Sequence, residues 1–260
     1  MRMIALLFLT VAPAMAQDLP PGLVSAEMMP GWVTPEGNRI TALHLRLEPG
    51  WKTYWRSPGD AGVPPRFDWA GSQNLGEVRL LWPRPEVIES EGERTLGYRE
   101  ELILPIEITP ARPGAPVEPM AEVDFGICQD ICVPAQVKLQ AGAPAATPDP
   151  LIKQAMEMRP EISDRQPDCR IVEIRDGMQV TATLPAEDSA RGDKVAMELT
   201  DDEVWVSTPE IGGKDGRLTA QADFVAASGK PFALDPATLR LTLIGPDDAV
   251  EFRGCRGVAD

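Results

Sequence analysis

Residues 121–139 read AEVDFGICQDICVPAQVKL, and the alternation in this stretch decides the fold. Ala121, Val123, Phe125 and Ile127 are apolar at every second position, and so are Val133, Ala135, Val137 and Leu139. Period two marks two strands, each with one buried face. Gln129-Asp130-Ile131 between them predicts a three-residue hairpin loop. Cys128 and Cys132 flank that loop on the opposite parity, so both are expected to face outward. Residues facing each other across a ladder lie roughly 5 Å apart, within reach of a disulfide. The pair reads either as a small reversible disulfide or as a permanent staple. A staple closing so short a loop adds roughly 2 kcal/mol or less on the chain-entropy model, which favours the reversible reading.

Working outward, Leu43, Leu45 and Leu47 alternate, and Leu102, Leu104, Ile106 and Ile108 do the same. A turn-rich stretch separates them, and residues 17 to about 35 read as a loose arm. The small and proline-containing run from Ala141 to Pro148 predicts a linker. Asp149-Pro150 then supplies an N-cap and first-turn pair for one short helix, with Leu151, Ile152, Ala155, Met156 and Met158 as packing residues. From Cys169 to Cys255 short strands recur, beginning with a hairpin at Asp176-Gly177. The expected class is all-β: a sandwich over residues 17–140, a linker and helix over 141–168, and a second, smaller sandwich-like domain over 169–260.

Composition narrows the function. A net charge of -15 argues against nucleic acid and anionic membrane surfaces as partners. With a single histidine, His44, histidine-rich metal sites and a Cys-His dyad are not expected; it reads as an exposed strand residue. Met1-Arg2, an apolar run to Val11 and Ala14-Met15-Ala16 have the order of a cleaved secretory signal over residues 1–16. The apolar run is too short for a stable membrane anchor, so an exported protein without stable membrane insertion is expected, in a compartment that tolerates disulfides. Cys169 and Cys255 bracket the second unit about 85 residues apart, where a disulfide is worth about 4 kcal/mol; they read as a structural clasp. No dinucleotide fingerprint and no CxxC in a βαβ setting is present, so no cofactor is expected. Trp51, Trp55, Trp69 and Trp82 are equally readable as core or as the wall of a site.

Three segments together resemble the N-terminal periplasmic domain of the DsbD-type thiol:disulfide interchange proteins, particularly the ScsB-like branch. They are Pro49 to Pro65 (PGWKTYWRSPGDAGVPP), Gly97 to Pro105 (GYREELILP), and the Cys128–Cys132 hairpin with Pro134. The resemblance covers roughly residues 30–140. It implies an immunoglobulin-like fold and a cysteine pair that takes electrons from a membrane thiol carrier and passes them to thioredoxin-like periplasmic proteins. It also places Trp51, Tyr54, Trp55, Glu89, Glu91 and Tyr98 in the partner-binding region. Two departures stand out. Three residues rather than five separate the cysteines, and the stretch matching the family's aromatic cap, Glu89 to Arg94, has no aromatic. Shielding is then expected from Trp51, Tyr54 or Trp55. The family's membrane-spanning and thioredoxin-like parts have no counterpart here, so the donor is expected to be a separate membrane protein. The ScsB-like branch is associated with copper tolerance, which makes Cu(I) handling the alternative, since soft sulfur ligands suit that ion. A non-redox binding sandwich is the third reading.

Overall fold

A computed structural model describes residues 19–90, 92–200 and 204–259; the signal-sequence reading and Glu91 lie outside the described residues. Ten strands come first: β1 (Leu23–Val33), β2 (Arg39–Leu47), β3 (Lys52–Tyr54), β4 (Arg66–Asp68), β5 (Leu75–Leu80), β6 (Glu86–Ser90), β7 (Glu93–Arg99), β8 (Glu101–Pro110), β9 (Met120–Cys128) and β10 (Cys132–Gln140). They form one sheet in the order β1-β2-β8-β5 and another in the order β10-β9-β3-β7-β6, with β4 also paired to β9. The alternating residues meet between the sheets, where Leu43, Leu45, Leu104, Ile106, Val123, Phe125 and Ile127 are buried with Trp55 and Trp82. This is the sandwich expected from the alternation, with the immunoglobulin-like fold that the resemblance implies.

From Leu23 to Val33 the expected loose arm is a strand. Strand β1 pairs antiparallel with β2 from Leu23 to Val33, with register shifts at Leu23/Ser25 and Met29/Trp32. The second shift spans Pro30-Gly31, and Gly31 has a φ of 59° and lies against the carbonyl of Ile40, where a Cβ would clash. A bulge there breaks the period-two pattern by which a strand is recognised. The linker is also folded down. Ala145 N–H donates to the Gly31 carbonyl at 2.8 Å. Helix α1 (Pro150–Glu157) is capped by Asp149 and buries Ile152 beside Met29, Ile40 and Ala42. His44, expected at the surface, is 8% exposed and bridges Glu27 (3.1 Å) and Glu101 (2.8 Å) through its two ring nitrogens.

The second unit comprises β11 (Glu161–Ile162), β12 (Asp168–Ile174), β13 (Gly177–Thr183), β14 (Lys194–Leu199), β15 (Val204–Val206), β16 (Glu210–Lys214), β17 (Arg217–Ala226), β18 (Leu239–Ile244), β19 (Ala249–Arg253) and β20 (Arg256–Ala259). Its sheets run β11-β19-β18-β14 and β15-β17-β13-β12-β20, with β16 on β17. A disulfide joins Cys169 on β12 to Cys255, just before β20, with Cα atoms 5.7 Å apart and both residues buried. Replacing both cysteines by alanine is expected to lower stability by about 4 kcal/mol, because the bond closes a long loop in the unfolded chain. Urea unfolding measures this. Removing the Cys128–Cys132 bond, which closes a five-residue ring, should cost less than half as much, and equal losses would refute the clasp.

The two units share a packed seam. Ala196 on β14 and Ile244 on β18 join the core cluster of the first unit. Arg56, directly after the buried Trp55, crosses to the second unit. Its Nη2 lies 3.0 Å from Glu198 and 2.8 Å from Glu251, and its guanidinium stacks 4.2 Å over the Trp55 ring. Burial disfavours the Arg56 charge, but the two carboxylates outweigh it and raise its pKa. Burial likewise works against the Glu251 carboxylate, yet Arg56, Arg253 and Arg240 together hold its pKa below the usual range.

Candidate functional site

The hairpin predicted from the alternation sets Cys132 directly opposite Cys128 in the β9–β10 register. The two are disulfide-bonded with Cα atoms 4.1 Å apart. Parity assigns both side chains to the outer face of the sheet, but the two sulfurs are not equivalent. Cys132 is exposed, whereas Cys128 is only 1% exposed. The difference comes from β3, which pairs with the end of β9 through Lys52↔Cys128 and Thr53↔Ile127. Tyr54, two residues beyond Lys52, shares its face and swings over Gly126 and Cys128. Its hydroxyl is 2.8 Å from Cys128 Sγ and 3.3 Å from Cys132 Sγ. A disulfide sulfur carries no proton, so the tyrosine O–H is the donor. Burial raises the Tyr54 pKa above its ordinary 10, which keeps that proton in place at neutral pH.

Tyr54 is itself covered. The segment Pro58 to Val63 folds back over the ring. Gly62 sits between Pro58 and Tyr54, so close that a Cβ would lie 2.3 Å from the Pro58 side chain and 3.0 Å from Tyr54. A Cβ on Gly126 would come within 3.1 Å of both the Tyr54 ring and Val63. These two glycines let an aromatic ring lie flat against a strand, and Tyr54 is 1% exposed as a result.

Basic residues on the neighbouring strands join Asp124 and Asp130 around the pair. Lys52 stands opposite Cys128 in register, and Arg99 stands opposite Lys52 on β7. Lys52 Nζ reaches Thr95 Oγ1 at 3.4 Å, and burial first, then the Arg99 charge, lowers its pKa. Asp124 accepts a 2.7 Å hydrogen bond from Gln136 on the neighbouring strand.

The other sequence candidates separate into distinct places. Trp55 and Tyr98 point into the sandwich rather than toward a partner. Trp55 is fully buried, and Tyr98 stacks on Trp82 with its hydroxyl donating to the Pro83 carbonyl at 2.8 Å. A strand facing inward at Leu96 and Tyr98 leaves only the alternate residues for the outer surface. Trp51 is half-buried and packs against Gly22. Glu89 is exposed on β6, three strands from β9 across β7 and β3, or about 14 Å at the usual strand spacing. Of the aromatics expected to shield the disulfide, Tyr54 is the one the structure lays on it. Lys52, Val63 and Ile131 were not singled out from sequence; Ile131 stands 76% exposed at the hairpin tip beside Cys132. The clue to the cover was the pair of small residues, Gly62 and Gly126, in otherwise substantial sequence.

Among the described residues no helix is long and apolar enough to cross a membrane, and no cluster of three or more His, Cys, Asp and Glu could hold a metal. Comparison with known proteins supplies the remaining context. Residues 23–144 match the family described as thiol:disulfide interchange protein DsbD, N-terminal. The crystal structure of the N-terminal periplasmic domain of ScsB from Proteus mirabilis aligns with a TM-score of 0.62 at 21% identity, covering 89% of this chain and 92% of that one. The N-terminal Ig1-2 module of the Drosophila receptor protein tyrosine phosphatase DLAR aligns at 11% identity over 93% of this chain and 99% of that one, but with a TM-score of 0.19 it bears no argument. No curated protein matches the chain.

Proposed function

We propose that the chain, whose residues 23–144 match the family of DsbD N-terminal thiol:disulfide interchange domains, relays electrons in the periplasm through Cys128 and Cys132, from a membrane thiol carrier to thioredoxin-like proteins. The observation that carries this reading is the asymmetry of the disulfide: one sulfur open to solvent, the other buried under a tyrosine hydroxyl.

That asymmetry orders the chemistry. A thiolate of the donor attacks the exposed Cys132 Sγ. The Cys128–Cys132 bond breaks, a donor–Cys132 bond forms, and Cys128 departs as a thiolate that accepts the Tyr54 O–H bond. The donor's second thiol then attacks its own bridged sulfur and releases Cys132. The donor dithiol has become a disulfide, and Cys128 and Cys132 hold the two electrons and two protons. The second half runs the same way in reverse roles: Cys132 thiolate attacks the acceptor's disulfide, and Cys128 resolves the mixed species. Ile131 and Val63, both exposed beside the pair, offer the apolar contact for each partner in turn.

Redox titration of the folded protein against glutathione tests the reading. Exchange at a defined potential is expected; a disulfide that resists reduction in the folded state, or thiols protected by stoichiometric Cu(I), would displace it. In the same assay Tyr54→Phe should slow disulfide opening about tenfold at neutral pH, the worth of one hydrogen bond to a charged group. Because the lost donor stabilised the thiolate, the pKa of the Cys128 thiol in the reduced Tyr54→Phe protein should be higher than in the parent.

A further inference from the structure

We propose that Asp60 is a positioning residue and that the second sandwich, through it, holds the cover closed over Tyr54 and Cys128; the consequence for electron transfer rests on the exchange reading above. The segment that covers Tyr54 has few ties of its own. Pro58 carbonyl accepts from Leu96 N–H at 2.9 Å, and a turn closes from Gly62 N–H to the Gly59 carbonyl at 3.2 Å. Its sequence, Pro58-Gly59-Asp60-Ala61-Gly62-Val63, contains two glycines, one of them, Gly59, at a φ of 88°. Such a segment has little intrinsic reason to stay down.

The second unit supplies the reason. Asp60 accepts the backbone N–H of Thr208 on both carboxylate oxygens, at 3.0 and 3.1 Å, across 148 residues of chain. The hydroxyl of Thr208 lies against Gly59. One position along, the Pro209 carbonyl accepts from Arg94 at 3.4 Å, so both the cover and the neighbouring β7 are tied to the same short stretch after β15. That stretch is fixed in turn, because Ser207 N–H donates to the Asp223 carbonyl of β17 at 2.9 Å and Ser207 Oγ accepts from Asp223 N–H at 3.0 Å. The cover of the disulfide is thus pinned by a unit that contributes no atom to the disulfide itself. A cover that opens lets reagents reach Cys128, and one held shut restricts attack to Cys132.

The test measures access to Cys128 without using redox exchange. In a Cys132→Ser background Cys128 is the one thiol of the hairpin, and its alkylation by iodoacetamide across pH gives its accessibility and its pKa. Asp60→Ala is expected to speed alkylation about tenfold, the effect of one lost charge-assisted hydrogen bond on the open–closed balance. Asp60→Asn keeps one acceptor oxygen without the charge and should fall between the parent and Asp60→Ala. Thr208→Pro removes the N–H and should match Asp60→Ala, and the two together should be no faster than either. Parental rates in Asp60→Ala, equal acceleration by alanine and asparagine, or additive effects of the pair would each overturn the latch. Failure of the exchange reading would appear elsewhere, as a wild-type disulfide that glutathione does not open.

Discussion

A Cys128→Ser variant of the full chain, expressed in its native cell, should accumulate covalent adducts through Cys132, while Cys132→Ser should capture almost nothing. Both variants keep one thiol of the pair, so a site with two equivalent outward cysteines would trap equally from either side. The structure makes them unequal. Cys132 flanks an exposed loop tip next to Ile131, whereas Cys128 lies 1% exposed beneath Tyr54. Attack requires the incoming sulfur to line up with the bond being broken, and the ring and the Pro58–Val63 segment occupy that approach to Cys128. The expected adducts are a membrane thiol carrier and a thioredoxin-like protein, identified by mass spectrometry after non-reducing separation. Equal yields from the two variants would show that Tyr54 does not control access. Adducts through Cys128 alone would reverse the assignment of the attacked sulfur.

The second large effect is on stability. Arg56→Ala is expected to destabilise the chain by about 3–5 kcal/mol, the range for removing one partner from a buried ion pair. Its side chain is 15% exposed, and those of Glu198 and Glu251 are 13% and 7% exposed, so the loss leaves two largely buried carboxylates, with Arg253 and, at 3.9 Å, Arg240 beside Glu251. The cation over the Trp55 ring disappears as well. Denaturant unfolding should show a lower midpoint, and a second transition if the units come apart. Acid has the same target. Glu251 has a depressed pKa in the folded chain, so its contribution is complete above the ordinary carboxylate range and is lost as the pH falls through the folded value. Arg56→Ala should therefore be less sensitive to acid than the parent. An Arg56→Ala protein with parental stability would mean that the seam is held by apolar contact alone.

How much of this was legible beforehand depended on whether a feature was local. Alternation around Cys128 and Cys132 gave the hairpin and its register, because strand pairing across a three-residue loop involves neighbours in sequence. The Asp176-Gly177 hairpin was legible for the same reason, whereas β16 and β20 were not. Strand β1 was hidden by the bulge at Pro30-Gly31, and β3 to β7 by their shortness and the turns between them. Parity told which face Cys128 occupies but not what lies on that face; Tyr54 reaches it from 74 residues away. Parity also placed His44 on a polar face, without revealing that Glu27 and Glu101 close over it. Arg56 read as part of a motif, yet its partners are 142 and 195 residues distant. Trp55 and Tyr98 show the converse: a motif residue can serve the interior of the domain that displays the motif.

The crossing of Arg56 and Asp60 into the second unit bears on any attempt to transplant the redox module. The family match ends at residue 144, and a fragment cut there would include both cysteines and the Tyr54 hydroxyl that bonds them. It would also leave the Arg56 guanidinium facing water instead of Glu198 and Glu251, strip the Thr208 amide from Asp60, and bare the apolar ground under Ala196 and Ile244. Such an excised half would inherit the cysteines without the setting that distinguishes one from the other, and a chimera that borrows it would have to import the seam from β14, β15, β18 and β19 as well.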